Sequence, residues 1–102
     1  MIEEIRRKVG QAQYEFSLHA ADQSFLRQIS RREIEEAMRN GILVENYPSD
    51  KYGPSCLILG YTAKRRPLHI QCTHPARILI KIITVYEPDP DEWTEFRERR
   101  PK

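Results

Sequence analysis

The sequence predicts an α+β domain in which N-terminal helices pack on an antiparallel sheet of about four strands. Apolar residues in 2–41 recur at the three- and four-residue spacing of amphipathic helices. Residues 42–86 change to short extended apolar runs, which turn-forming residues separate. Because the connections between these runs are short, neighbouring strands are expected to be antiparallel.

Length and composition predict a single domain over 1–102. Its core is expected to cover about residues 13–90, with a charged tail over 91–102. No apolar run approaches the ~20 residues of a membrane span, and no secretory h-region opens the chain, so we expect a cytoplasmic protein without a membrane partner. The net charge of +2 permits an RNA or acidic protein partner and demands neither.

Two of the three predicted helices have clear boundaries. The first spans 2–12 and is followed by a short extended link over 13–16. The third begins at Ser30, where Glu33 completes a capping box, and ends at Asn40–Gly41.

The second helix, capped by Ser17, leaves two interpretations open. Its apolar face is expected to consist of Leu18, Ala21, Phe25 and Ile29. His19, Gln23 and Arg27 recur every four residues on a neighbouring face. This row is either a set of phosphate-binding side chains or a solvated helix edge, and the spacing alone does not decide between them.

Four strands are predicted in the second half of the chain. They cover residues 42–47, 55–62, 68–73 and 78–86. The tight basic turn Ala63–Arg66 joins the second and third strands into a hairpin. The last strand is apolar on both parities, so it is expected to be central and covered on both faces along part of its length. The tail is expected to be loosely held, with at most a helical turn around Trp93 and Phe96.

Chemistry-bearing residues are concentrated on the last two strands. His69, Gln71 and Thr73 alternate with apolar residues and share one face. This face is either a half-exposed sheet or the floor of a cleft in which His69 acts as an acid or base. Thr84 and Tyr86 project together where the last strand ends, either into a site or simply toward the surface.

The patterns that would predict phosphate contacts or a metal site are weaker than those on the last two strands. Lys64, Arg65 and Arg66 at the hairpin tip are candidates for contacts with a phosphate backbone, unless they form only a solvated loop. No metal site is expected, because strand parity puts His69 and Cys72 on opposite faces and no second ligand pair exists. No cofactor is predicted, because the chain has no glycine-rich phosphate-binding motif.

The order of short motifs in the chain resembles a known family. The segments SLHA, EIEEAMRNG, LILGYT, RPLHI and IITVYEPDP follow one another between about residues 16 and 90. They resemble the small bacterial and archaeal proteins of domain-of-unknown-function family 4258, which is similar to RelE-like and BrnT-like toxins. Members often sit beside a zinc-finger antitoxin of the MqsA type. The resemblance implies a RelE/BrnT-like fold and the RNase toxin of a type II toxin–antitoxin module, with its antitoxin as partner.

The resemblance also assigns individual positions. The residues of this chain that match the family are His19, Arg27, His69, Thr84, Tyr86 and Glu87. The family commonly has a second arginine where this chain has Gln23, a departure that removes one cation from the helical row.

Together, the residues and the resemblance lead us to expect a metal-independent endoribonuclease. His19 or His69 would act as the acid or base. Arg27 would stabilise the transition state, and Tyr86 would donate a proton or position the substrate. Residues expected to bind the substrate RNA are Gln23, Lys64, Arg65, Arg66, Thr84 and Glu87. The alternative is a non-catalytic protein that docks a partner on its sheet face in a regulatory complex, which the departure at Gln23 favours.

Overall fold

The computed structural model describes residues 1–51 and 53–101. Within those residues, the helices are α1 (Ile2–Gly10), α2 (Leu18–Leu26) and α3 (Arg31–Arg39). The strands of the main sheet are β1 (Tyr14–Phe16), β2 (Ile42–Tyr47), β3 (Ser55–Tyr61), β4 (Pro67–Thr73) and β5 (Ile80–Tyr86). A small separate hairpin consists of β6 (Trp93–Thr94) and β7 (Glu98–Arg99).

The main sheet is mixed and has the strand order β1-β5-β4-β3-β2. Strands β2 to β5 pair in an antiparallel manner, whereas β1 pairs with β5 in parallel, from Tyr14–Ile80 to Phe16–Ile82. The predicted α+β class is confirmed, but the predicted antiparallel sheet of about four strands is wrong. The extended link expected over 13–16 contains the fifth strand, and three residues are too few to show the alternation of a strand.

The core lies between the helices and one face of the sheet. Its buried side chains from α3 and β3–β5 include Ile34, Ala37, Met38, Cys56, Ile58, Leu68, Ile70, Cys72, Ile80, Ile82 and Val85. Helix α3 has the capping box predicted from Ser30 and Glu33. It crosses β3 so closely that a Cβ atom at Gly60 would lie 1.9 Å from the carbonyl oxygen of Ala37.

Helix α2 does not bury the face that its apolar spacing predicts. Ser17 caps the helix, but the side chains of Leu18, Phe25 and Leu26 are 87%, 83% and 77% exposed. Ala20 is the one buried residue of this fully described helix. The predicted apolar face is therefore wrong for Leu18, Ala21 and Phe25, because Gln23 and Arg27 face β5 instead, whereas Ile29, beyond the end of the helix, is buried as predicted.

The C-terminal residues are not the loosely held tail that was expected. Trp93 is buried, and β6 and β7 fold back over the sheet face opposite the helices. The helical turn expected around Trp93 and Phe96 is wrong, since Glu95 and Phe96 form a hairpin turn with φ angles of 53° and 62°. The last long strand starts later than predicted, at Ile80, and Ile78 is exposed.

None of the helices in the described part of the chain has both the length and the apolar composition needed to cross a membrane.

An alanine is expected to destabilise the fold at Gly60, where α3 approaches β3 closely, but not at Gly10. Gly60→Ala is expected to lower the free energy of unfolding by about 3 kcal/mol, because its methyl group would overlap the backbone of Ala37. Gly10→Ala is the matched control: it has open space and ends α1, so it should be neutral or stabilise by up to about 1 kcal/mol. Urea denaturation measures both, and equal effects would contradict the close packing.

Candidate active site

The site begins at an uncovered edge of β5. Strand β1 ends at Phe16, opposite Ile82, so residues 83–86 of β5 have no neighbouring strand on that side. Exposed strand edges need partners for their backbone donors and acceptors. Ser17, the N-cap of α2, supplies the first one, because its Oγ donates to the carbonyl oxygen of Ile83 at 3.1 Å.

Two members of the polar row on α2 continue along this edge. Arg27 Nη1 donates to the carbonyl oxygen of Val85 at 2.7 Å. Gln23 Oε1 accepts from the hydroxyl of Thr84 and from the backbone N–H of Val85, the latter at 3.4 Å. An arginine has no acceptor and could not make these bonds. Gln23 therefore has a structural role that an arginine at this position could not fill in the same way.

His19, the third member of the row, lies apart from these contacts. It is exposed in the first turn of α2, and its Cα is roughly 12 Å from that of Arg27 at the helical rise of 1.5 Å per residue. Among the described residues, no hydrogen bond or ion pair joins its side chain to the rest of the chain.

His69 and Tyr86 form a hydrogen-bonded pair across β4 and β5. They are directly opposed in the sheet, with 3.0 Å between His69 Nδ1 and Tyr86 Oη. His69 Nε2 lies 2.7 Å from the carbonyl oxygen of Phe96. Because a carbonyl only accepts, Nε2 carries a proton, and a neutral imidazole then leaves the lone pair on Nδ1 for the Tyr86 hydroxyl. Tyr86 therefore donates to His69.

Burial keeps both members of this pair neutral. His69 is fully buried, and burial lowers its pKa, an effect that its hydrogen bond to the Phe96 carbonyl oxygen and the charge of Glu45 oppose. Burial raises the pKa of Tyr86, against the nearby charge of Arg99. At neutral pH the pair is therefore a phenol donating to an uncharged imidazole.

Tyr86 also lines a surface cleft of about 480 Å³. The residues around it are Arg27, Arg66, Tyr86, Glu87, Asp89 and Glu92. Among the described residues, no group of three or more His, Cys, Asp or Glu side chains is placed to hold a metal ion. The cleft therefore combines two guanidinium groups, three carboxylates and a phenol backed by an imidazole.

The two arginines of the cleft have different freedom. Arg66 lies 3.3 Å from a carboxylate oxygen of Glu33 and 3.6 Å from one of Glu87. It also donates to the carbonyl oxygens of Arg27 and Gln28, so it ties the α2–α3 connection to the end of β5. Arg27 has no carboxylate partner within the described residues. Of the two arginines that line the cleft, Arg27 is therefore the one whose charge is available to an anionic ligand.

The remainder of the basic turn lies outside the cleft. Lys64 lines a separate depression beside Arg32 and Glu36, and Arg65 lies with Asn40 in another. Of the three basic residues in the turn, only Arg66 lines the cleft that Tyr86 lines.

The structure thus brings together some of the residues named from the sequence and separates others. Those at or directly behind the cleft are Arg27, Arg66, His69, Tyr86 and Glu87. Gln23 and Thr84 bind each other at the adjoining strand edge. Sequence reasoning missed Asp89, Glu92 and the Phe96 carbonyl. The one available signal was Trp93, a large apolar residue in an otherwise charged segment.

The lowered pKa of His69 predicts a pH dependence of stability. Below its ordinary pKa of 6.5, the unfolded chain binds a proton that the folded chain does not. The free energy of unfolding should therefore decrease as the pH falls from about 7 to about 5.5. Urea denaturation of His69→Gln should show a weaker decrease over this window than that of the wild type. An unchanged slope in His69→Gln would contradict the assignment.

A family model described as "Domain of unknown function (DUF4258)" matches residues 16–87. Comparison with curated proteins and with solved structures gives no match. The matched region contains both members of the His69–Tyr86 pair and ends just before the C-terminal hairpin.

Proposed function

The chain belongs to the family described as Domain of unknown function (DUF4258). Beyond that membership, we propose that it is a type II toxin, a metal-independent endoribonuclease with a RelE/BrnT-like fold. The observation that carries the proposal is the Tyr86–His69 hydrogen bond beside the free charge of Arg27. The proposal includes an RNA substrate in the cytoplasm and a cognate antitoxin, a zinc-finger protein of the MqsA type.

The proposed reaction is an internal transesterification of RNA. The ribose 2′-oxygen attacks the adjacent phosphorus and the 5′-oxygen leaves, which gives a 2′,3′-cyclic phosphate and a 5′-hydroxyl. Tyr86 takes the 2′ proton while its own proton moves to Nδ1 of His69. The Phe96 carbonyl and the charge of Glu45 stabilise the imidazolium formed. The same proton then returns through Tyr86 to the 5′-oxygen, so no other reactant is needed.

Arg27 would stabilise the charge that develops on the phosphate. Its guanidinium is fixed by the hydrogen bond to Val85, so it needs little reorganisation when the transition state forms. Arg66 would contribute less, because Glu33 and Glu87 already compensate its charge. Lys64 and Arg65 would meet the RNA only at phosphates beyond the cleaved one.

Substitutions at the pair should separate catalysis from folding. Tyr86→Phe and His69→Gln are each expected to reduce the rate of RNA cleavage by about 10²–10⁴, the usual contribution of general acid–base catalysis. The matched controls are Tyr61→Phe and His74→Gln, which change the same residue types away from the cleft. His19→Ala should retain most of the activity. Cleavage of an end-labelled RNA by the purified chain gives all rates, and the cyclic phosphate identifies the chemistry.

Growth of cells that express the chain without its antitoxin tests the enzymatic proposal most directly. Wild type should arrest growth and degrade RNA, whereas Tyr86→Phe should do neither. Healthy cells and intact RNA with the wild-type chain would overturn the enzymatic proposal.

The exposed side of α2 supports the second candidate function, partner docking. Leu18, Phe25 and Leu26 form an apolar stripe on α2 that no other part of the described chain covers. A groove of about 450 Å³ beside Phe25 extends this stripe toward Ser30. Large contiguous apolar exposure marks protein–protein sites. The sheet face first expected to dock the partner is covered around His69, so α2 is the better surface.

The stripe predicts which substitutions abolish partner binding. Leu18→Ser combined with Phe25→Ser is expected to abolish co-purification with the product of the adjacent gene, with an unchanged circular dichroism spectrum. Ile78→Ser is the control, because Ile78 is equally exposed outside α2. If only Ile78→Ser abolished the complex, the partner would bind outside α2. A chain freed of its partner that still lacks RNase activity would favour the non-catalytic candidate.

A further inference from the structure

The C-terminal hairpin, residues 93–99, surrounds the side of His69 that faces away from Tyr86. The Trp93 ring meets the imidazole edge to face, with ring centroids 4.5 Å apart and an interplanar angle of 89°. The carbonyl oxygen of Phe96 accepts from Nε2 at 2.7 Å. Both groups lie beyond the family match, which ends at residue 87.

Arg99 anchors this hairpin to β2, the edge strand of the sheet that lies farthest from β1. Its Nε and Nη2 atoms lie 2.9 Å and 3.1 Å from the two carboxylate oxygens of Glu45 on β2. The guanidinium carbon also lies 4.7 Å from the centroid of the Trp93 ring. Two parallel charge-assisted hydrogen bonds fix the orientation of a guanidinium group as well as its position. A chain of contacts therefore runs from Glu45 through Arg99 and Trp93 to His69.

The hairpin turn has a backbone conformation that its residues do not favour on their own. Glu95 and Phe96 both have left-handed φ angles, 53° and 62°, and the N–H of Arg97 closes the turn on Thr94. Such turns usually contain Asn and Gly. Unfavourable backbone conformations persist where surrounding contacts determine them. Here the turn directs the Phe96 carbonyl at His69.

We propose that the C-terminal hairpin is a positioning element for His69 and that Arg99 is the positioning residue that holds it in place. With Nε2–H committed to the Phe96 carbonyl, the lone pair on Nδ1 faces Tyr86. The effect of this arrangement on catalysis rests on the function proposed above, whereas the arrangement itself does not.

A spectroscopic experiment tests this element directly. In the wild-type chain, a slowly exchanging imidazole N–H proton is expected in the NMR spectrum, and His69→Gln should remove it, which assigns it. Arg99→Gln should broaden or abolish that signal and reduce RNA cleavage by about tenfold or more. Glu45→Gln removes the same ion pair from β2 and should act alike. Arg97→Gln, which changes an exposed arginine of the same turn, should leave signal and cleavage as in the wild type.

The titration of His69 supplies a second measurement. The charged or titratable groups around it are Tyr86 on β5, Glu45 on β2 and Arg99 on the hairpin. In Arg99→Gln, entry of water and loss of a positive charge favour the imidazolium, whereas loss of the hydrogen bond to Phe96 opposes it. Because burial is the largest cause of the lowered pKa of His69, that pKa should rise toward 6.5.

The outcomes separate the two proposals. An unaltered N–H signal in both Arg99→Gln and Glu45→Gln would overturn the positioning role. Loss of the signal in Arg99→Gln and Glu45→Gln would support the positioning role. If the wild-type chain in the same experiment did not cleave RNA, the RNase function would be overturned.

Discussion

The uncovered edge of β5 is the constraint on which the rest of the site depends. Buried backbone groups without partners are costly, by about 1–3 kcal/mol each. Ser17, Gln23 and Arg27 satisfy those of residues 83–86 in place of a strand. This requirement orients α2: Gln23 and Arg27 must face the sheet, so Leu18, Phe25 and Leu26 face solvent. The same contacts hold the end of β5, and with it Tyr86, at the rim of the cleft.

Local signals in the sequence predicted the elements that depend on neighbours in the chain. The capping box of Ser30 and Glu33 defined the start of α3, and the basic turn before Pro67 defined the β3–β4 hairpin. Strand parity also separated His69 from Cys72 correctly, because the two-residue period of a strand is independent of its partners.

Elements that depend on distant partners could not be predicted in this way. The three residues of β1 become a strand only because β5 lies beside them. The hydrogen-bonding role of Gln23 is apparent only with Thr84 and Val85 in place. His69, Tyr86 and Arg27 could be named because their side chains carry chemistry, but the Phe96 carbonyl is a backbone group and leaves no mark in the sequence.

One helix connects the two candidate functions. Helix α2 ends at Leu26, and the next residue, Arg27, lines the cleft, so the apolar stripe and the cleft share a border. A protein seated on Phe25 and Leu26 would therefore lie next to Arg27, at the rim of the cleft. Such a partner would hinder entry of an RNA chain, which is far longer than the cleft, by steric exclusion alone. Inhibition of this kind leaves the His69–Tyr86 hydrogen bond intact, so an inhibited complex would retain the imidazole N–H signal of the free chain.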